Sequence, residues 1–301
     1  MARSVGLAHV VRQPDETFTG VWGGYLLRSA FQPIFAFSNG KLSPVAFEGL
    51  LRPLRGNVPV SPGAFFTSIP PIDRMHVETL SRTLHLLNAG RFLNPAAMVF
   101  VNFDPSVFFD RELTEAALRD MRLILHEAGV EAERVVCEVT EQRSASETVL
   151  FNFVEALRGH GFAIAVDDFG AEDSDIHRIE RLKPDIVKFD AHWIGWLMNS
   201  GPGFALLSEM VETFKQRGIR TVFEGIEQGW QLELAEKCGV SMVQGFAIAH
   251  PEVVPNVFPW PAPEGVSVGD QAESPVVAVA LTGPAQPRPT RSFGKRASPP
   301  G

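Results

Sequence analysis

The sequence predicts an α/β fold, a TIM-like (β/α)₈ barrel, and three observations carry the prediction. Eight short runs rich in Val, Ile and Phe are almost continuously apolar, as strands covered on both faces must be. Helical patterns lie between most of them. The whole alternation fits into about 240 residues, the size of one closed barrel. A doubly wound open sheet is the alternative, but the Gly-rich phosphate turn of that fold is missing.

In order, the strand candidates are "AFQPIFAF" from Ala30, "VAFEGLL" from Val45, "MVFVNF" from Met98 and "VVCEVT" from Val135. There follow "AIAVDDF" from Ala163, "DIVKFD" from Asp185, "RTVFEGI" from Arg220 and "MVQGFAI" from Met242. Between the third and fourth, "RELTEAALRDMRLILHEAG" sets Leu113, Ala117, Met121 and Leu125 at a helical repeat and stops at Gly129. Between the sixth and seventh, "PGFALLSEMVETFKQRG" does the same and stops at Gly218. Residues 1–27 lack periodicity and read as an N-terminal arm. Residues 262–301 are dominated by Pro, Gly and Ser, too poor in apolar surface to offset the entropy of ordering, and read as a disordered tail. Its Arg288, Arg291, Lys295 and Arg296 read as solvated charges, with docking on an acidic partner as the alternative.

The 301 residues carry a formal net charge of −8, which argues against a general nucleic-acid binder, because neutralising phosphates needs a basic face. The two cysteines, Cys137 and Cys238, sit in apolar settings and read as reduced packing residues. No apolar run reaches the ~20 residues of a membrane span, and no signal peptide is evident, so the expected location is cytoplasmic.

The polar residues of the strands fall at their C-terminal ends, where barrels build catalytic sites. Glu48 ends the second run, Asn102 the third, and Glu138 with Glu141 the fourth. Asp167 and Asp168 end the fifth, Lys188 and Asp190 the sixth, Glu224 and Glu227 the seventh, and Gln244 lies in the eighth. One such residue is usually a satisfied buried polar group. Six strands in succession are not explained that way. Oxygen donors of this kind suit hard divalent cations such as Mg²⁺ and Mn²⁺, and none of the eight His joins a strand end, which argues against an imidazole zinc site. Adjacent Asp167 and Asp168 suit a two-metal site of the kind that activates water in phosphodiester cleavage, with Lys188 positioning that water or neutralising phosphoryl charge.

In sequence order the motifs are "FQPIF", "FEGLLRP", "VNFDP", "CEVTEQ", "DDFG", "VKFD", "FEGIE" and "VQGF". Over residues 28–255 the chain resembles the EAL family of cyclic di-GMP phosphodiesterases, which serve bacterial second-messenger signalling, with Gly49 where the family's namesake motif has Ala. The resemblance implies an EAL-type barrel domain over 28–261 in which the first barrel strand, around "FQPIF", runs antiparallel to its neighbours. It implies Glu48, Asn102, Glu138, Asp167, Asp168 and Glu224 as metal ligands for Mg²⁺ or Mn²⁺. Lys188, Glu224, Glu227 and Glu48 would serve catalysis, and Gln32, Arg52, Gln244 and Asp190 would meet the dinucleotide. Arg52 has an independent rationale, since a guanidinium matches a phosphate fork. Glu141 would anchor the loop after Asp168, and that loop would make homodimer contacts. No cyclase or sensory module is expected before the barrel.

That loop is where the chain departs from the pattern. Ala171-Glu172-Asp173-Ser174-Asp175 replaces the usual Gly and Tyr with acids. In one reading Ser174 simply caps the helix "SDIHRIERL" and Asp175 favours its dipole. In the other the altered loop weakens the second metal or the dimer. Two functions compete: metal-dependent hydrolysis of cyclic di-GMP to linear pGpG, and a catalytically silent cyclic di-GMP receptor acting through protein partners. Every metal carboxylate is present, which favours the enzyme.

Overall fold

The computed structural model describes residues 10–38, 40–108, 111–140, 147–171, 176–258 and 260. Its strands are β1 (Val10–Arg12), β2 (Phe18–Trp22), β3 (Tyr25–Ser38), β4 (Lys41–Arg55), β5 (Val58–Pro59) and β6 (Met98–Phe103). They continue with β7 (Val135–Thr140), β8 (Ala163–Phe169), β9 (Ile186–Phe189), β10 (Arg220–Phe223), β11 (Met242–Val243) and β12 (Glu252–Val253).

Strands β4, β6, β7, β8, β9, β10 and β11 pair in parallel in that order. β3 closes the ring, antiparallel to both β4 and β11. The result is a closed barrel of eight strands with one antiparallel member, the architecture expected from the sequence. Helices supply the crossovers that parallel neighbours require. Pro71–Phe92 leads into β6, Arg111–Ala128 into β7, Glu147–Gly159 into β8 and Ile176–Leu182 into β9. Gly201–Gln216 then leads into β10 and Gly229–Cys238 into β11.

Because side chains alternate across each strand, the barrel interior is layered. One apolar layer takes a single residue from every barrel strand: Ile34, Ala46, Phe100, Val136, Ala165, Ile186, Val222 and Met242. All eight are essentially inaccessible, so this layer is a dry floor. The larger apolar cluster lies outside it, between the strands and the helices.

Two expectations change. Residues 10–22, read as part of a loose arm, form β1 and β2, a hairpin whose second strand continues the sheet along β3. β3 and β4, 14 and 15 residues long, project beyond the barrel and offer an edge on which the short hairpin can pair. Asn88 fixes it there, accepting from Phe18 N at 2.8 Å and donating to Phe18 O at 2.9 Å. In the helix Arg111–Ala128 the inward face is rotated from the expected stripe. Thr114, Leu118, Met121, Ile124 and Leu125 are buried, whereas Leu113 is exposed. The tail 262–301 lies outside the described residues.

Candidate functional site

Two residues beyond the floor, towards the C-terminal ends of the parallel strands, the same pleat presents a second layer. It consists of Gln32, Glu48, Asn102, Glu138, Asp167, Lys188, Glu224 and Gln244. All eight strands of the floor supply these groups by the period of two alone. β4 runs on to Arg55, but its parallel pairing with β6 stops at Glu48, opposite Phe100. Glu48 is therefore at the rim even though it is mid-strand.

Lys188 is the centre of this layer. It is 1% exposed, and its Nζ lies 2.5 Å from Glu138 Oε1, 2.6 Å from Glu224 Oε1, 3.1 Å from Asp167 Oδ1 and 3.9 Å from Glu48 Oε2. Burial works against its charge, but the surrounding carboxylates, Asp167 first, win and hold its pKa well above that of an ordinary lysine. Burial pushes Glu138 the other way, well above the usual carboxylate range despite Lys188. Burial likewise raises Glu224, to about 8, with Asp167 and Glu48 adding repulsion and Lys188 opposing it. Glu48 is oriented from two sides, since Gln244 Nε2 donates to its Oε2 at 2.7 Å and Asn102 Nδ2 to its Oε1 at 3.5 Å.

Two consecutive carboxylates ending one strand would normally face opposite sides. β8 avoids this by a register shift between Val166 and Phe169, and Asp168 takes a left-handed conformation with φ 57°. Such a φ is uncommon outside Gly, and Asp is among the residues that tolerate it. The kink lets oxygen atoms of Asp167, Asp168 and Glu224 come within 4.8 Å of one another. Bulges of this kind re-aim side chains next to active sites. Similarly, Gly225 after Glu224 has φ 59°, and a Cβ there would lie 2.3 Å from Ala191 Cβ.

Above the layer opens a cavity of about 270 Å³, lined by Gln32, Glu48, Glu224, Glu227, Gln244 and Phe246. Gln32 Nε2 donates to Ala249 O at 3.2 Å, and Glu227 is exposed with its backbone N donating to Gln231 Oε1 at 2.8 Å. Arg52 instead turns to its own strand, Nη1 donating to Leu51 O at 3.0 Å, and burial lowers its pKa against the pull of Glu48. Asp190 does not line this cavity. Its Oδ1 caps the helix Ala191–Met198 by accepting from Trp193 N at 2.9 Å. Glu141 and the acidic stretch 172–175 lie outside the described residues. The sequence reading passed over Phe246, half exposed at the rim and stacked on His250 at 4.5 Å. An aromatic directly after "QG" was the available signal.

The donor set fits divalent cations. Four carboxylates converge on a single ammonium, Asp168 lies beside two of them, Glu138 Oε2 is buried without a hydrogen-bond donor, and every oxygen is a hard ligand. Burial raises the Glu138 and Glu224 carboxyls, and metal binding at such groups competes with protons.

Comparison with known proteins agrees with this geometry. The model of the EAL domain family matches residues 26–251. The probable cyclic di-GMP phosphodiesterase PdeA of Escherichia coli is 27% identical over 154 residues, 50% of this chain and 20% of PdeA. The cyclic di-GMP phosphodiesterase RocR of Pseudomonas aeruginosa is 27% identical over 227 residues, 73% of this chain and 56% of RocR. The chain thus spans about a fifth to a half of these relatives. A Klebsiella pneumoniae BlrP1 structure in complex with manganese and cyclic di-GMP superposes with a TM-score of 0.68 at 25% identity, covering 81% of this chain and 58% of that one.

Proposed function

The chain belongs to the EAL domain family, and from that premise we propose that it hydrolyses cyclic di-GMP to linear pGpG, using divalent cations of the Mg²⁺ or Mn²⁺ type bound at the barrel rim. The observation that carries this reading is the cluster of Glu48, Glu138, Asp167 and Glu224 around Lys188, with Asp168 beside Asp167 and Glu224. So dense a set of acids is costly to bury unless cations compensate it.

Metals held there would supply Lewis-acid activation of the attacking water and of the phosphoryl oxygens. Asp167, Asp168 and Glu224 would hold them, with Glu48, Glu138 and Asn102 completing the ligand sets. Gln244 and Asn102 orient the Glu48 carboxylate, which keeps one lone-pair direction for a metal instead of several. Lys188 would stay protonated, as its raised pKa requires, and neutralise charge on the phosphate that approaches the rim. Glu227, exposed at the cavity edge, would accept a proton from the water side. Gln32 and Gln244, which line the cavity, would meet the dinucleotide together with Arg52 and Asp190. Among the described residues no helix is long and apolar enough to cross a membrane.

The test is hydrolysis by the purified chain with Mg²⁺ or Mn²⁺, read by separation of cyclic di-GMP from pGpG. Turnover that needs metal and disappears in Glu48→Ala supports the reading. Turnover undiminished in Glu48→Ala or with chelator would contradict it.

A further inference from the structure

Gly49, the residue after Glu48 on β4, faces the helix Pro71–Phe92, and His85 is what it meets there. A Cβ on Gly49 would lie 2.8 Å from His85 Cγ and 3.0 Å from His85 Cβ. Contacts that short do not occur, so an alanine here requires either the imidazole or the strand to move. The imidazole has little freedom. It is 3% exposed, its Nδ1 is 3.0 Å from Ser29 Oγ, and its Nε2 is 3.2 Å from Ser81 Oγ. Its edge also packs on Phe31, the cross-strand partner of Gly49, at 6.3 Å between ring centroids. Ser29 is tied onward to Asn88, whose Nδ2 donates to its Oγ at 3.1 Å. Rotating the ring would leave buried hydroxyls and ring nitrogens unpaired, each a cost of the order of a lost hydrogen bond.

The strand must therefore be what yields, and it carries Glu48 on its other face. Successive residues of a strand point to opposite sides, so a contact at 49 fixes how far 48 reaches into the barrel. Glu48 works within narrow distances there, 2.7 Å from Gln244 Nε2 on one oxygen and 3.5 Å from Asn102 Nδ2 on the other.

We propose that His85, packed against the bare backbone of Gly49 outside the barrel, is a positioning residue that sets the reach of Glu48 into the metal cluster. Gly49 and His85 act as a matched pair, in which the ring occupies the space a side chain at 49 would fill. The inference rests on the reading of Glu48 as a metal ligand.

The experiment is calorimetric titration of Mn²⁺ into the metal-free protein, well below the melting temperature, for the parent, Gly49→Ala, His85→Ala and the double variant. Gly49→Ala is expected to weaken Mn²⁺ binding about tenfold, the usual size of a lost outer-shell support. Adding His85→Ala, which removes the obstructing ring, is expected to restore most of that affinity. A simple loss of packing would make the double variant worse than either single one. Gly49→Ala binding as tightly as the parent, or a double variant no better than Gly49→Ala, overturns the proposal. If Gly49→Ala fails to fold, His85→Ala alone carries the test, since it removes the ring that the bare backbone of Gly49 meets. Unchanged Mn²⁺ affinity in His85→Ala then overturns the proposal, and weakened affinity supports it. Glu48→Gln separates the two ideas: if it binds Mn²⁺ like the parent, the ligand assignment itself has failed.

Discussion

Lys188 Nζ and Glu138 Oε1 lie 2.5 Å apart in the barrel, each residue 1% exposed, with Glu224, Asp167 and Glu48 closing around the same ammonium. Lysine here is the internal cation of the metal-free protein. Replacing it by Met keeps the volume and leaves the acids facing one another. Removing one partner of a buried pair typically costs about 3–5 kcal/mol. Lys188→Met is therefore expected to lower metal-free stability by that order, measured by urea unfolding in chelator. Mn²⁺ should stabilise it more than it stabilises the parent, because the ammonium at the centre of the cluster is then gone and metal must compensate the acids in its place. An equal metal-induced shift in both proteins would count against the shared cluster.

Asp168 separates backbone strain from ligation. Its φ of 57° suits Gly better than any residue with a Cβ, by roughly 1–2 kcal/mol. Asp168→Gly should thus be more stable than Asp168→Ala by about 1 kcal/mol. Both should lose much of the melting-temperature rise that Mn²⁺ produces, since each removes the same carboxylate. Two variants of equal stability would show that the left-handed turn is not held at this position.

His85 predicts a pH dependence. Burial, reinforced by repulsion from Arg52 and Arg82, holds its pKa at about 3 against an ordinary 6.5. A folded-state value below the unfolded one means that protonation favours unfolding. Its contribution is complete above about pH 6.5 and is lost as pH falls towards 3. Between pH 7 and pH 5 that amounts to about 2 kcal/mol. His85→Gln should lose correspondingly less stability over this interval, with the raised carboxylates Glu138 and Glu224 cancelling in the comparison. Parallel pH profiles for the two proteins would contradict the buried neutral imidazole.

The barrel and its rim were legible because they share one rule. A strand buried on both faces must be an apolar run, and a run that ends in Glu, Asp, Lys or Gln two residues past its last inward apolar residue marks the rim. Ala46 with Glu48, Val136 with Glu138, and Ile186 with Lys188 all follow it. The direction of β3 was not legible from periodicity, since Gln32 precedes Ile34 as readily as it would follow in a parallel strand. It came from the resemblance carried by "FQPIF". The hairpin β1–β2 escaped notice because Phe18–Trp22 has no periodicity of its own and is held by the overhanging edge of β3. The cap formed by Asp190 was hidden by its neighbour Lys188, whose strand-end position suggested a rim role for both. Gly49 stood out as a departure from the family motif, yet its reason, His85, lies on another element and could be found only in three dimensions.

The most direct test of the central claim is a single-turnover reaction of the purified chain with cyclic di-GMP and Mn²⁺ in water enriched in heavy oxygen, analysed by mass spectrometry. The account predicts linear pGpG carrying one heavy oxygen on its terminal phosphate, formed only with metal and absent in Asp167→Asn. Cyclic di-GMP that binds the metal-loaded protein but remains uncleaved would contradict it and identify the barrel as a receptor.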